Sequence, residues 1–139
     1  MFDRILLASD GSDHAVRATH MAVKLTGSEK HGKVTVIYTI DGSTSKSDVL
    51  SEENSTALQE KRRERLHATE DILQSEDIEY EVQIIKGDPG PTIVKFANEN
   101  QFNVVVVGSR GLNRLQEMVL GSVSHKIAKR AECPVVIVK

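Results

Sequence analysis

Four consecutive valines, Val104 to Val107, run straight into Gly108. A run that is β-branched at every position favours a strand, and a strand that is apolar at every position must be buried on both faces. A second such run, Ile5-Leu6-Leu7-Ala8, ends in the turn-forming cluster Ser9-Asp10-Gly11-Ser12. Strands of this kind belong in the middle of a parallel sheet covered by helices on its two sides.

The rest of the chain supplies the covering. After Ser12, which can cap a helix, Ala15, Ala18, Ala22 and Leu25 recur at helical spacing as far as Gly27. Val34 to Ile40 is rich in β-branched residues and predicts a strand. Asp41 to Ser55 is dense in Ser, Thr, Asp and Glu and predicts a loop longer than most connections. A polar helix is expected over roughly residues 56–74, with Leu58, Leu66, Thr69 and Leu73 inward. Tyr80, Val82 and Ile84 alternate with Glu81 and Gln83, the pattern of a half-exposed strand at a sheet edge. Gly87-Asp88-Pro89-Gly90-Pro91 predicts a turn, and Pro91 suits the first turn of a helix with Ile93, Phe96 and Ala97 inward. After Gly121-Ser122 a further helix would turn Val123, Ile127 and Ala131 to the core. The final strand, Val135 to Val138, is apolar on both faces, so it lies inside the sheet or has its edge covered by a partner.

Strands alternating with helices predict an α/β fold with a mostly parallel sheet and helices on both faces. The length of 139 residues fits one domain, 1–139, and no internal repeat interrupts it. A formal net charge of -2 gives no nucleic-acid footprint. Lys61, Arg62, Arg63 and Arg65 alternate with Glu60 and Glu64, which predicts a solvated, salt-bridged helix face. No apolar run approaches a membrane span, and Met1-Phe2-Asp3-Arg4 leads into a short apolar run without the marks of a signal peptide. The single cysteine, Cys133, excludes an internal disulfide and fits a reducing compartment, so a cytoplasmic location is expected. His14, His20, His31, His67 and His125 form no metal-binding spacing with Cys133, and His67 with Asp71 predicts a surface pair.

Ligands of open parallel sheets bind outside the carboxyl ends of the strands, near a switch in strand order. Three loops leave such ends: Ser9 to Ser12, Thr39-Ile40-Asp41, and Gly108 to Ser122. The third reads Gly108-Ser109-Arg110-Gly111, then nine residues, then Gly121-Ser122 at a helix start. Glycines allow backbone N–H groups to approach an anion, and a helix N-terminus adds free donors and a positive dipole end. Ser122 adds a hydroxyl. Leu115 and Met118 would pack down as apolar anchors, and Arg110 would reach a phosphate or point to solvent. Neither a Walker loop nor a dinucleotide fingerprint is present. A receiver domain would need an acidic cluster after the first strand and an acceptor Asp after the third, whereas Asp10 stands almost alone and the third strand ends in Lys86-Gly87.

The spacing Gly-x2-Gly-x9-Gly-Ser/Thr at Gly108, Gly111, Gly121 and Ser122 resembles the motif of the universal stress protein family. Ile5 to Ser12 with Asp10, Gly87-Asp88-Pro89, Val119 to Val123 and Cys133-Pro134-Val135 resemble that family too, so the resemblance covers nearly the whole chain. It implies a five-stranded parallel sheet in the order 3-2-1-4-5, Rossmann-like, binding ATP. Asp10, flanked by Ala8 and Ser9, would hold the nucleoside end, and the backbone at Thr39 would meet the adenine. Val107, Gly108, Ser109, Arg110, Gly111, Leu112 and Asn113 would line the ribose and phosphates. Gly121, Ser122 and Val123 would hold the phosphates. Magnesium or manganese often accompanies ATP in such sites, although no dedicated ligand cluster is evident. The last strand would pair with its copy in a homodimer, and no nucleic acid or membrane partner is implied. A regulatory nucleotide-binding module of the stress response is expected. The alternatives are a slow ATPase, for which no motif places a general base, and a dimer that binds partners without nucleotide.

Overall fold

The structure is a computed structural model. It describes residues 2–29, 31–40, 52–109 and 121–139, with the backbone alone for 52–59 and 61–63. The elements follow in the order β1 (Arg4–Ala8), α1 (Asp13–Leu25), β2 (Lys33–Ile40), α2 (Glu52–Ser75), β3 (Glu79–Lys86), α3 (Pro89–Glu99), β4 (Val104–Gly108), α4 (Ser122–Arg130) and β5 (Val135–Val138). All strand pairings are parallel and the sheet order is β3-β2-β1-β4-β5. The expected architecture and strand order are therefore present.

Side-chain parity divides the core in two. Ile5, Leu7, Val34, Val36, Val104 and Val106 face one way and pack with Ala18 and Ala22 of α1 and Leu66 and Leu73 of α2. Leu6, Ala8, Ile37, Val105 and Val107 face the other way and pack with Ile93 and Ala97 of α3 and Ile127 of α4. The four valines of β4 are at most 6% exposed, which is what their pattern required. The chain winds out from β1 through β2 to β3, then returns to the other side of β1 with β4 and β5. The direction of winding switches between β1 and β4.

Local chemistry explains the boundaries. Ser12 caps α1, its Oγ accepting from the Ala15 N–H at 3.2 Å. Gly27, at φ +87, ends the same helix, its N–H donating to the Lys24 carbonyl at 3.2 Å. The helix expected over 56–74 is longer, spanning Glu52–Ser75. Residues 52–55 are thus helical and not part of the loop, because Glu52 and Glu53 suit the positive end of a helix dipole. Leu66, Thr69 and Leu73 are inward as expected, and Thr69 meets Thr19 of α1 through a buried hydroxyl contact of 3.2 Å. The expected inward Leu58 and the charges at Lys61, Arg62 and Arg63 lie outside the described side chains.

β3 lies on one edge, and Tyr80 and Val82 pack on the core as the alternation predicted. Ile84, also expected inward, is instead 48% exposed. The adjacent Ile85 packs on the opposite face, so the end of the strand divides its apolar side chains between both sides. β5 lies on the other edge with all four residues half-buried.

Candidate functional site

At the carboxyl edge of the sheet, β2 overshoots its neighbour. Ala8, the last residue of β1, pairs with Ile37, whereas β2 continues to Ile40. The Ser9 N–H reaches the Ile37 carbonyl at 3.1 Å, so odd-numbered residues of β2 turn their backbone groups toward β1. The Gly87 N–H reaches the Ile40 carbonyl at 2.8 Å, so even-numbered residues turn toward β3. By strand alternation the N–H and C=O of Thr39 face the space beyond the end of β1. A donor and an acceptor side by side match the ring-nitrogen acceptor and exocyclic amino donor on the pairing edge of an adenine.

Asp10 closes the turn after β1. Its Oδ1 accepts from the Ser12 N–H at 2.9 Å, an Asx-turn that sets up the start of α1. Gly11 is in the left-handed region at φ +80, and a Cβ there would fall 2.4 Å from the Cβ of Arg65 on α2. The turn is therefore pinned from below by its own carboxylate and from the side by α2.

The third loop is closed at its base. The Ser109 N–H donates to the Val138 carbonyl of β5 at 2.7 Å, and the Ser109 carbonyl accepts from the Gly121 N–H at 2.8 Å. Ser124, in the first turn of α4, donates its hydroxyl to the Gly108 carbonyl at 2.6 Å. These bonds hold the N-terminus of α4 against the end of β4. Gly121 is its N-cap and makes no side-chain cap bond. With the Gly121 N–H committed to Ser109, the donors at this helix start are the N–H groups of Ser122, Val123 and Ser124, which have no acceptor within the helix.

The sequences at the other described helix starts on this edge favour an anion less. In α1, Ser12 occupies the cap and Asp13 puts a carboxylate in the first turn. Pro89 and Pro91 bring no N–H to the first turn of α3, and Asp88 precedes them. α2 begins with Glu52 and Glu53. Among the described helices, α4 alone starts with neither a capping side chain nor an acid, and Lys129 and Arg130 complement the dipole at its far end.

Those of the expected residues that are described lie at three adjacent strand ends, those of β2, β1 and β4. Ala8 and Val107 are each 6% exposed and belong to the core beneath the site, so their side chains form its floor. Val123 also packs its side chain, partly buried, on that core. Arg110, Gly111, Leu112 and Asn113 lie outside the described residues, as do Leu115 and Met118. Two residues were not legible as part of the site. Ser124 looked like an ordinary helix residue, and the small polar side chain just after the motif was its only signal. His14, in the first turn of α1, is 9% exposed and places Nδ1 3.4 Å from the Ser109 Oγ. Among the described residues no group of three His, Cys, Asp or Glu side chains is placed to hold a metal ion. Cys133 packs against the α3–α4 side of the core, and burial pushes its thiol pKa up.

The model of the universal stress protein family matches residues 1–139. The chain belongs to the universal stress protein family. Among relatives, universal stress protein YxiE of Bacillus subtilis is 30% identical over 148 residues, covering 100% of both chains. The solved structure of MJ0577 of Methanocaldococcus jannaschii superposes with a TM-score of 0.86 at 27% identity, covering 100% of this chain and 96% of that one. A universal stress protein from Archaeoglobus fulgidus, solved in complex with dAMP, superposes at 0.72 with 23% identity, covering 99% and 98%. Other solved members of the family hold cAMP or AMP. Among the described residues, the carboxyl edge of the sheet brings together the backbone of Thr39 and the start of α4. Among the described residues no helix is long and apolar enough to cross a membrane.

Proposed function

We propose that this chain is an ATP-binding module of the stress response. The nucleotide lies across the carboxyl edge of the sheet, with its base at Thr39 and its phosphates at the N-terminus of α4. The observation that carries this reading is the contrast among helix starts. α1, α2 and α3 present acids, prolines or a filled cap, whereas Gly121 leaves α4 open. Phosphate is the ligand chemistry that such a start recognises. The two ends agree in what they select, because Thr39 offers a base edge and α4 offers phosphate donors. The complexes of relatives with dAMP, AMP and cAMP support an adenine nucleotide.

In this reading Asp10 and Ser9 border the nucleoside, and Arg110, Gly111, Leu112 and Asn113 complete the lining of the ribose and phosphates. Magnesium or manganese would enter with ATP, held by its phosphates. The chain acts by binding, as a single cytoplasmic domain whose occupied and empty forms are read by others.

A homodimer through β5 completes the proposal. The Val105 and Ser109 N–H groups donate to the Pro134 and Val138 carbonyls, so even-numbered residues of β5 face β4. Val135 and Ile137 therefore turn their backbone groups to the free edge. β3 guards its edge with Glu79, Glu81 and Lys86, but Val135-Val136-Ile137-Val138 carries no charge at all. Pairing with a second copy about a two-fold axis would cover it.

The test is to identify the small molecule that copurifies with the native protein by mass spectrometry, and to titrate ATP, AMP and adenosine calorimetrically. ATP binding in the micromolar range is expected, with adenosine weaker. A protein that carries no nucleotide and gives no heat with any of the three would overturn the proposal.

A further inference from the structure

The α4 start is held by two carbonyls, those of Gly108 and Ser109, which accept from the Ser124 hydroxyl and the Gly121 N–H. Both residues rest on one side chain of another element. A Cβ at Gly108 would lie 2.7 Å from the His14 Cβ and 3.1 Å from its backbone carbonyl, so β4 and α1 are in direct contact there. Beyond that contact the imidazole continues to Ser109, with Nδ1 3.4 Å from Oγ. His14 is only 9% exposed and lies against the end of β4, the strand at which the winding of the sheet reverses. Ser109 thus has three attachments: its N–H to Val138, its carbonyl to Gly121, its hydroxyl to His14.

We infer that His14 is a positioning residue for the phosphate end of the site, acting through Ser109 on the start of α4. The inference rests on the nucleotide reading above and adds a residue to it. His14 need not touch the ligand. Its imidazole fixes the Ser109 hydroxyl, and this fixes the carbonyl that holds Gly121. A helix start displaced by a fraction of an ångström would aim its N–H groups away from the phosphates. The base end, built from Asp10 and the backbone of Thr39, hangs on different contacts and does not share this dependence.

The test compares ATP with adenosine by calorimetry in wild type, His14→Ala, His14→Asn, Ser109→Ala and the double variant His14→Ala/Ser109→Ala. Asn carries a hydrogen-bonding atom at the same distance along the chain as Nδ1. Thermal unfolding of each variant monitors the fold. His14→Ala is expected to weaken ATP about tenfold, the scale of one lost hydrogen bond to an oriented group, while adenosine changes less than about twofold. His14→Asn is expected to recover most of the ATP affinity. The double variant should bind ATP no more weakly than the worse single variant, because both remove the same link. Equal losses for ATP and adenosine, additive losses in the double variant, or no loss in a folded His14→Ala would each overturn the inference. Should His14→Ala unfold, the same reading is made on His14→Asn and Ser109→Ala, with selective loss of ATP in Ser109→Ala expected and an unselective loss refuting. A wild type that binds neither ligand overturns the nucleotide reading itself, and is thereby distinguished from a failure of His14 alone.

Discussion

Replacing Gly121 by Asp should make the protein more stable and a poorer binder of ATP at once. Gly121 is the N-cap of α4 with φ -58 and ψ 152, an extended conformation that any residue adopts, and it makes no side-chain cap bond. An Asp carboxylate there would accept from the leading N–H groups of the helix. Against Gly, an Asp cap gains a few tenths of a kcal/mol, and its charge at the dipole adds roughly 0.3–1 kcal/mol. The net is about 0.5–1 kcal/mol, or a rise in Tm of about 1–4 °C for a chain of this size. The same carboxylate occupies the donors proposed for phosphate. Losing hydrogen bonds to a charged oxygen costs roughly 1.5–3 kcal/mol, and a second negative charge near 4 Å adds about 1 kcal/mol or more. ATP should therefore bind about 70- to 1000-fold more weakly, while adenosine, which has no phosphate, is unaffected. Differential scanning calorimetry measures the first change and titration calorimetry the second. A variant that melts higher yet binds ATP as tightly as wild type would show that the phosphates are not at α4.

Three other expectations follow from the same contacts. Gly108→Ala places a methyl group 3.1 Å from the backbone of His14, which cannot yield as a side-chain tip can; urea denaturation should show a loss of about 1–3 kcal/mol, and an unchanged midpoint would deny the close packing of α1 on β4. Ser124→Ala removes the 2.6 Å bond to the Gly108 carbonyl in a buried setting, so a loss of about 1–2 kcal/mol is expected, with ATP affinity falling alongside it. Val135→Pro deletes one backbone donor on the free side of β5 and leaves the bonds to β4 in place; sedimentation velocity should show a shift from dimer to monomer, and an unchanged dimer would move the contact elsewhere.

The fold was legible because its strongest signals were also its most buried residues. Val104 to Val107 and Ile5 to Ala8 are apolar at every position, and burial on two faces is the environment that such runs require. Edge placement was legible for β3 from its alternating charges, whereas β5 left two possibilities open, since a doubly apolar strand fits either the interior or a covered edge. Ile84 could not be placed from its pattern, because alternation assigns a face and says nothing about whether a helix reaches that far. α2 starts earlier than its local pattern predicts for a related reason. Ser and Thr weigh toward loop in any local reading, and only the acidic pair at Glu52 and Glu53 spoke for a helix. His14 was invisible as a partner of Ser109 because the two are brought together by topology across most of the chain.

The two described glycines of the spacing motif do different work, which the motif alone did not reveal. In the sequence both present themselves as places where backbone could approach an anion. Gly108 is buried, and its missing side chain makes room for His14; its carbonyl is taken by Ser124. Gly121 is the opposite case, because its missing side chain leaves a helix start uncapped. The first fixes where α4 begins relative to the sheet, and the second keeps that beginning open. An open helix start whose position drifted would bind phosphate poorly, and a fixed start closed by its own cap would not bind it at all. The bond from the Gly121 N–H to the Ser109 carbonyl ties the second glycine to the residue that follows the first. On this account a substitution at Gly108 should be felt first in stability, and one at Gly121 first in affinity.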